Sequence, residues 1–263
     1  MTADRVATHN ARAFVAFRVL FNTRYYYPVF AVLFLDLGVN AAQFGWLNAV
    51  WAAAIVLMEV PSGALADRFG RRRLVMVAAV LMVLEMALLV AAPVRGGAVL
   101  FAVLLLNRVA SGLAEACASG ADEALAYDAL AAAGRAGEWP GVMERLSRAT
   151  SMAFVVAMVA GAALYDASVL NRGLAALGIP WRVTADLAHR LPIWATLLHA
   201  GGALAAAWSL RECAHERRPE ADEPVSAWHG IRAAAAEIAA SPGLRLVMAV
   251  NVWNIGAVLF FMC

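Results

Sequence analysis

Two arginines, Arg24 and Arg108, stand deep inside long apolar runs, and two glutamates, Glu85 and Glu115, stand inside runs of the same kind. A charge in apolar surroundings is costly unless an opposite charge or a ligand meets it, so such residues mark either a solute or ion pathway or an internal neutralisation. At helical spacing Ser111, Gly112, Glu115, Ser119 and Asp122 all fall within about 60° of Arg108, a polar stripe that must face protein or water. Glu115 follows Arg108 by about two turns, as a proton carrier or as the arginine's counter-charge. Glu85 lies at nearly the depth of Arg24, with the same two readings.

Arg18, Asn22 and Tyr25 share one helical face, and Arg24 projects about 120° from Arg18, so the two arginines cannot both point squarely into one cavity. Arg18 is expected to snorkel to the membrane interface. Asn22, Tyr25 and Asn48 join Arg24, Arg108 and Glu115 as candidate solute contacts. The run Tyr25, Tyr26, Tyr27, Pro28 suits either an aromatic cavity lining or plain packing. Glu59, on the face of Asn48, is expected to anchor the arginines of the following loop. His199 reads as a core histidine and Cys117 as small core filler, while Cys213 and Cys263 show no partner. No phosphate-binding loop, metal-ligand cluster or nucleophile elbow occurs, so neither a cofactor nor an enzymatic reaction is expected.

These residues need elements that place them within a membrane. The 263 residues are 63% hydrophobic and 15% charged, against about 25% charged for a soluble domain, and the mean hydropathy is +0.71. A net charge of +2 and three cysteines disfavour a nucleic-acid module and a disulfide framework, and the apolar content disfavours disorder. A hydrocarbon core of ~30 Å takes about 20 apolar residues per helix, and seven stretches qualify: residues 13–37, 43–60, 74–94, 98–118 with a helical extension to 130, 149–165, 191–210 and 244–263.

All 21 basic residues are arginine, a composition that, with alanine in every segment, suits a GC-rich bacterial genome. Fourteen fall in alternate connections that include the N-terminus and the cluster Arg68, Arg71, Arg72, Arg73. Only Arg95, Arg172, Arg182 and Arg190 fall on the other side. Cytoplasmic loops accumulate arginine, which predicts a cytoplasmic N-terminus in a multi-pass protein of the bacterial inner membrane.

The connection between the second and third stretches runs Gly63, Ala64, Leu65, Ala66, Asp67, Arg68, Phe69, Gly70, Arg71, Arg72, Arg73. This order of glycine, a small or aliphatic run, Asp-Arg, one residue, glycine and two basic residues resembles the signature loop of the major facilitator superfamily. Two glycines allow a very short turn between packed helices, and the arginines hold it at an anionic surface. In the fourth stretch Arg108, Gly112, Ala116 and Gly120 recur at intervals of four, which is similar to the family's fourth-helix pattern. Asp128 occupies the place from which a family acid meets the loop arginines. The fifth stretch has Gly161 but lacks the glycine-proline motif of many drug/proton antiporters in the family.

The resemblance implies an all-α membrane protein: a six-helix bundle over residues 1–210 built as a 3+3 inverted repeat, a cytoplasmic linker with a surface helix over 211–243, and a seventh transmembrane helix over 244–263 that begins a second half. It implies secondary active transport of a small solute by alternating access, coupled to protons through Glu85 or Glu115, with Gly63, Asp67, Arg68, Gly70, Arg71, Arg72 and Asp128 as the conformational gate. The alternative is a half with structural or assembly capacity alone. Under the first reading a second half is expected from another polypeptide, from a homodimer or from a continuing reading frame. The expected partners are the lipid bilayer, the solute and protons.

Overall fold

The computed structural model describes residues 2–93, 96–212, 240–243, 245, 246 and 250. The chain divides into two compact units, Met1–Cys213 and Ala214–Cys263, and the fold described here is that of the first. The expected linker beyond Glu212, with its surface helix, the seventh span, Cys213, Cys263 and Arg95 fall outside the described residues, apart from the few positions near the C-terminus just given.

Among its described residues this unit has nine α-helices: α1 Ala3–Asn22, α2 Phe30–Asp36, α3 Ala41–Phe69, α4 Arg71–Val90, α5 Gly97–Ala118, α6 Ala121–Ala132, α7 Trp139–Tyr165, α8 Ala167–Ala176 and α9 Ala185–Ser209. No strand occurs among the described residues. Among the described residues, five helical stretches are long and apolar enough to cross a membrane: Ala41–Glu59, Arg71–Val90, Gly97–Ala132, Ala136–Tyr165 and Ala185–Ser209. Apolar side chains cover their outer faces, as on α7, where Met152, Phe154, Val155, Val156 and Val159 are exposed. An apolar surface of that extent is what lipid requires.

The first span differs from the continuous helix expected over 13–37. α1 stops at Asn22, Thr23 is extended, a 3-10 turn covers Tyr27–Val29, and α2 resumes at Phe30. Pro28 is the physical reason, because proline has no amide proton and disfavours helix at the residue before it. The break is tolerated because its polar backbone groups find partners. The Thr23 amide donates to the Val19 carbonyl at 3.0 Å, and the Tyr25 amide donates to Thr196 Oγ1 at 3.0 Å.

The signature segment is also corrected. Gly63 and Asp67 are helical, α3 runs on through Pro61 to Phe69, and the turn into α4 is Gly70 alone, at φ +95. The Asn40–Gln43 capping box starts α3. One glycine suffices because a single left-handed residue reverses the chain where both helices end on it. The extension of the fourth span likewise breaks at Ser119 and Gly120, the latter at φ +75, before α6. Helix α8, ten residues in the connection between α7 and α9, is too short to cross a membrane.

α4 and α5 sit at the centre, packed on each other; α3 packs on α5, α9 on α4, and α1 on α9, α6 and α7. Glycine sets two of the closest approaches. A Cβ on Gly112 of α5 would stand 2.7 Å from the Trp51 carbonyl oxygen and from Ala54 of α3, and one on Gly161 of α7 would run into the Tyr25 carbonyl oxygen. Small residues let helix backbones meet where apolar burial gives no preference between partner and lipid.

Candidate functional site

The break in the first span puts Arg24 inside the bundle with its side chain 4% exposed, opposite a fully buried Glu85 on α4. Arg24 Nη1 donates to Glu85 Oε1 and lies 3.4 Å from the Tyr26 hydroxyl. The rings of Phe21 and Tyr27 flank the guanidinium, each 5.8 Å from its carbon. In a medium of low dielectric such a pair is held strongly, and either member alone would be a stranded charge.

From Glu85 a hydrogen-bonded path leads to the second arginine. Asn107 Nδ2 donates to the Glu85 backbone carbonyl at 2.6 Å, and Arg108 Nε donates to Asn107 Oδ1 at 2.9 Å. Arg108 is buried under the rings of Phe30 and Phe34, 5.1 and 5.4 Å from its guanidinium carbon. Sequence reasoning did not single out Asn107; the signal was an amide next to Arg108 inside a leucine run. Glu115, further along α5, has a buried carboxylate oxygen, Oε2, with no hydrogen-bond partner.

The remaining expected solute contacts lie apart from this cluster or are engaged in their own helix. Tyr25 turns toward α9, where its hydroxyl lies 3.3 Å from His199 Nε2 and its ring packs edge-on at 4.9 Å. His199 Nδ1 in turn donates to the Ala195 carbonyl at 3.0 Å, so both ring nitrogens are engaged and the residue is a satisfied packing histidine. Asn48 donates to the Phe44 carbonyl of its own helix at 3.1 Å. Asn22 is half-buried with no described side-chain bond.

Arg18 does not snorkel. Its Nε lies 2.5 Å from Asp122 Oδ2 and its Nη2 donates to Oδ1 at 3.1 Å, a two-point pair that ties α1 to the start of α6. Asp122 is fully buried, so the nearby arginine meets it rather than water.

At the arginine-rich end, the signature residues bind the bundle in three ways. Arg71 pairs with Asp128 of α6. Arg72 donates from Nε to the Leu210 carbonyl at 2.6 Å and from Nη2 to the Trp208 carbonyl at 3.0 Å, closing the end of α9. Arg68 lies over the Phe69 ring at 5.4 Å. Glu59 does not anchor these arginines: it is exposed and enters no ion pair among the described residues, because the extra helical turns to Phe69 carry the loop away from it. Asp67 is exposed, also without a described ion pair. Among the described residues no group of three or more His, Cys, Asp or Glu side chains is placed to hold a metal ion.

The arrangement is a transmembrane bundle with a discontinuous first span, a buried charge network at its centre and a basic turn at one end. No curated protein matches the chain. The profile of the Major Facilitator Superfamily matches residues 12–263, nearly the whole sequence, and the chain belongs to that superfamily of membrane transporters.

Proposed function

We propose that the chain is one half of a secondary active transporter whose small solute binds at the level of the break in the first span. The observation that carries this reading is the break itself: a span interrupted around Arg24, with the Tyr25 amide received by Thr196 of α9, and with Arg24, Glu85, Asn107 and Arg108 joined behind it. Irregular backbone at membrane depth is retained where it is buried in protein or lines a cavity, and discontinuous spans of transporters carry their solute sites. We assign the solute contacts to Arg108, Glu115 and Asn22, which keep polar atoms that no described hydrogen bond engages; Asn48 and Tyr25 become contacts only if they leave their present partners.

Glu85 and Glu115 are the carboxylates available for proton coupling. Each has a buried oxygen without a hydrogen bond, and Glu115 has no ion-pair partner among the described residues, so loading it with a proton disturbs no pair. The gate is the turn at Gly70 with Asp67, Arg68, Arg71, Arg72 and Asp128. The sidedness of the arginines supports an N-terminus in the cytoplasm.

The test is cysteine accessibility in sealed vesicles, on a background lacking Cys117, Cys213 and Cys263. Ser168→Cys should react with an impermeant thiol reagent from the outer face only and Gly137→Cys from the inner face only. Asn22→Cys and Glu115→Cys should react from both faces. Reaction of both pathway positions from a single face, or from neither, would sink alternating access at this site, and exchanged behaviour of Ser168→Cys and Gly137→Cys would invert the topology.

A further inference from the structure

Three arginines lie within the bundle, and two are matched by carboxylates: Arg18 by Asp122 and Arg24 by Glu85. Arg108 is not. It is as buried as Arg24, at 4% exposure, yet among the described residues no carboxylate forms an ion pair with it and neither terminal nitrogen of its guanidinium is hydrogen-bonded; Nη2 is fully enclosed without a partner. Its Nε is held by Asn107, which is fixed in turn by the Glu85 carbonyl. Phe30 and Phe34 cover the guanidinium and keep its surroundings apolar.

The glutamates of the bundle do not supply the missing charge. Glu85 gives a carboxylate oxygen to Arg24 and reaches Arg108 only through its backbone carbonyl and Asn107. Glu115 is seven residues further along α5, about 10 Å along the axis, with one carboxylate oxygen itself unpartnered. A cation positioned at Nε, with its terminal donors left free in a site of low dielectric, is arranged for an oxyanion from outside the protein, because the planar fork offers two parallel donors to a carboxylate or a phosphate.

We infer that the solute carries a carboxylate or phosphate group and that Arg108 is the residue that takes it. Asn107 is the positioning residue that aims the fork. The inference rests on the reading of this cluster as the solute site.

The experiment is binding to the purified full chain, by calorimetry at constant ionic strength, of acetate, benzoate and inorganic phosphate, with acetamide and benzamide as neutral counterparts. At least one anion should bind and the amides should not. Arg108→Lys should weaken that anion by about tenfold or more, the loss of one charge-assisted hydrogen bond, while Arg172→Lys on the exposed α8 leaves it unchanged. A response to acetate or benzoate but not to phosphate identifies a carboxylate, and the reverse a phosphate. Absence of binding by all three anions, equal binding of an amide and its acid, or unchanged affinity in Arg108→Lys overturns the inference. If Arg108→Lys does not fold, the acid and amide pairs on the unaltered protein decide. An amide that binds as well as its acid, while Asn22→Cys still reacts from both faces, leaves the transporter reading standing and removes this one; anion binding with single-sided reactivity does the opposite.

Discussion

Arg24 and Glu85 lie 61 positions apart in sequence and meet inside the bundle as a fully enclosed ion pair. The contact joins the irregular turn of the first span to the C-terminal part of α4, the helix that packs on both α5 and α9. It therefore fixes the broken segment to the centre of the fold, and through the Glu85 carbonyl and Asn107 it also sets the position of Arg108. One pair thus serves as both a structural tie and the base of the candidate solute site.

Removing one member of this pair leaves a buried charge unmet, which costs about 3–5 kcal/mol in comparable buried pairs. Glu85→Leu or Arg24→Leu alone should therefore unfold far more readily in a detergent denaturation series than the unaltered chain. The double replacement should recover a large part of the loss, since no stranded charge remains. A double variant no more stable than the worse single variant would show that the pair does not act as a unit.

Gly161 leaves no room for a side chain, because a Cβ would run into the Tyr25 carbonyl oxygen. Gly161→Ala must push α7 off the broken span, at roughly 1–3 kcal/mol or more. Gly63→Ala, at a helical position with nothing within 4 Å, should be neutral or slightly stabilising, since alanine favours helix by about 1 kcal/mol over glycine. Equal thermal stability of the two variants would mean that the helices separate without cost.

The second to sixth expected stretches were legible in the sequence, each overlapping a described helical stretch long and apolar enough to cross a membrane, because bilayer thickness imposes a length and composition on such helices. The helix interruptions were not. Pro28 and Gly120 were visible, but a helix breaks in a membrane only where neighbours receive the freed backbone groups, and Thr196 of α9, which receives the Tyr25 amide, is remote in sequence. Depth counting put Glu85 level with Arg24, which is how their pair could be foreseen as one of two readings. It could not assign Arg108 a partner or none, because that depends on Asn107 and on which glutamate is already taken. Snorkelling of Arg18 is expected because it cannot share one cavity with Arg24, whereas its partner, Asp122, lies 104 positions away in sequence.

Asp166, at the start of α8, accepts the Ser168 and Val169 amides at 2.7 and 3.3 Å. Its hydrogen bonds, first of all with the Ser168 side chain, hold the carboxyl below its ordinary value. A group whose acidity is raised by folding stabilises the fold above its unfolded value, about 3.9 for aspartate, and loses that contribution as pH falls through the lower folded value. Amide exchange at Leu170, corrected for intrinsic rates, should stay constant from neutral pH to about 5 and quicken only below the ordinary carboxylate range. Quickening already at pH 6 would assign the cap to another group.

Arg72 is expected to act on α9 and not on solute affinity. Its guanidinium takes the Trp208 and Leu210 carbonyls, two of the acceptors a helix leaves unpaired at its C-terminus, where a cation is also favoured by the helix dipole. His9 adds the Ser209 carbonyl at 2.8 Å, and Asn10 exchanges two hydrogen bonds with the Arg211 backbone, at 2.7 and 3.0 Å. The end of α9 is thereby clasped from α1 and α4 together. Arg72→Gln removes a charge-assisted contact worth about 1.5–3 kcal/mol when buried. Arg72 is half-exposed, so solvent screening reduces this to roughly 1 kcal/mol. The loss should appear as faster amide exchange over the last turn of α9, while Arg73→Gln, at an exposed position with no described bond, should change nothing there. Anion binding should survive both replacements, since Arg72 shares no contact with the Arg108 cluster. Unchanged exchange at Ser209 and Leu210 in Arg72→Gln would mean that His9 and Asn10 hold the end of α9 without it, and the signature arginine would then need a role outside this bundle.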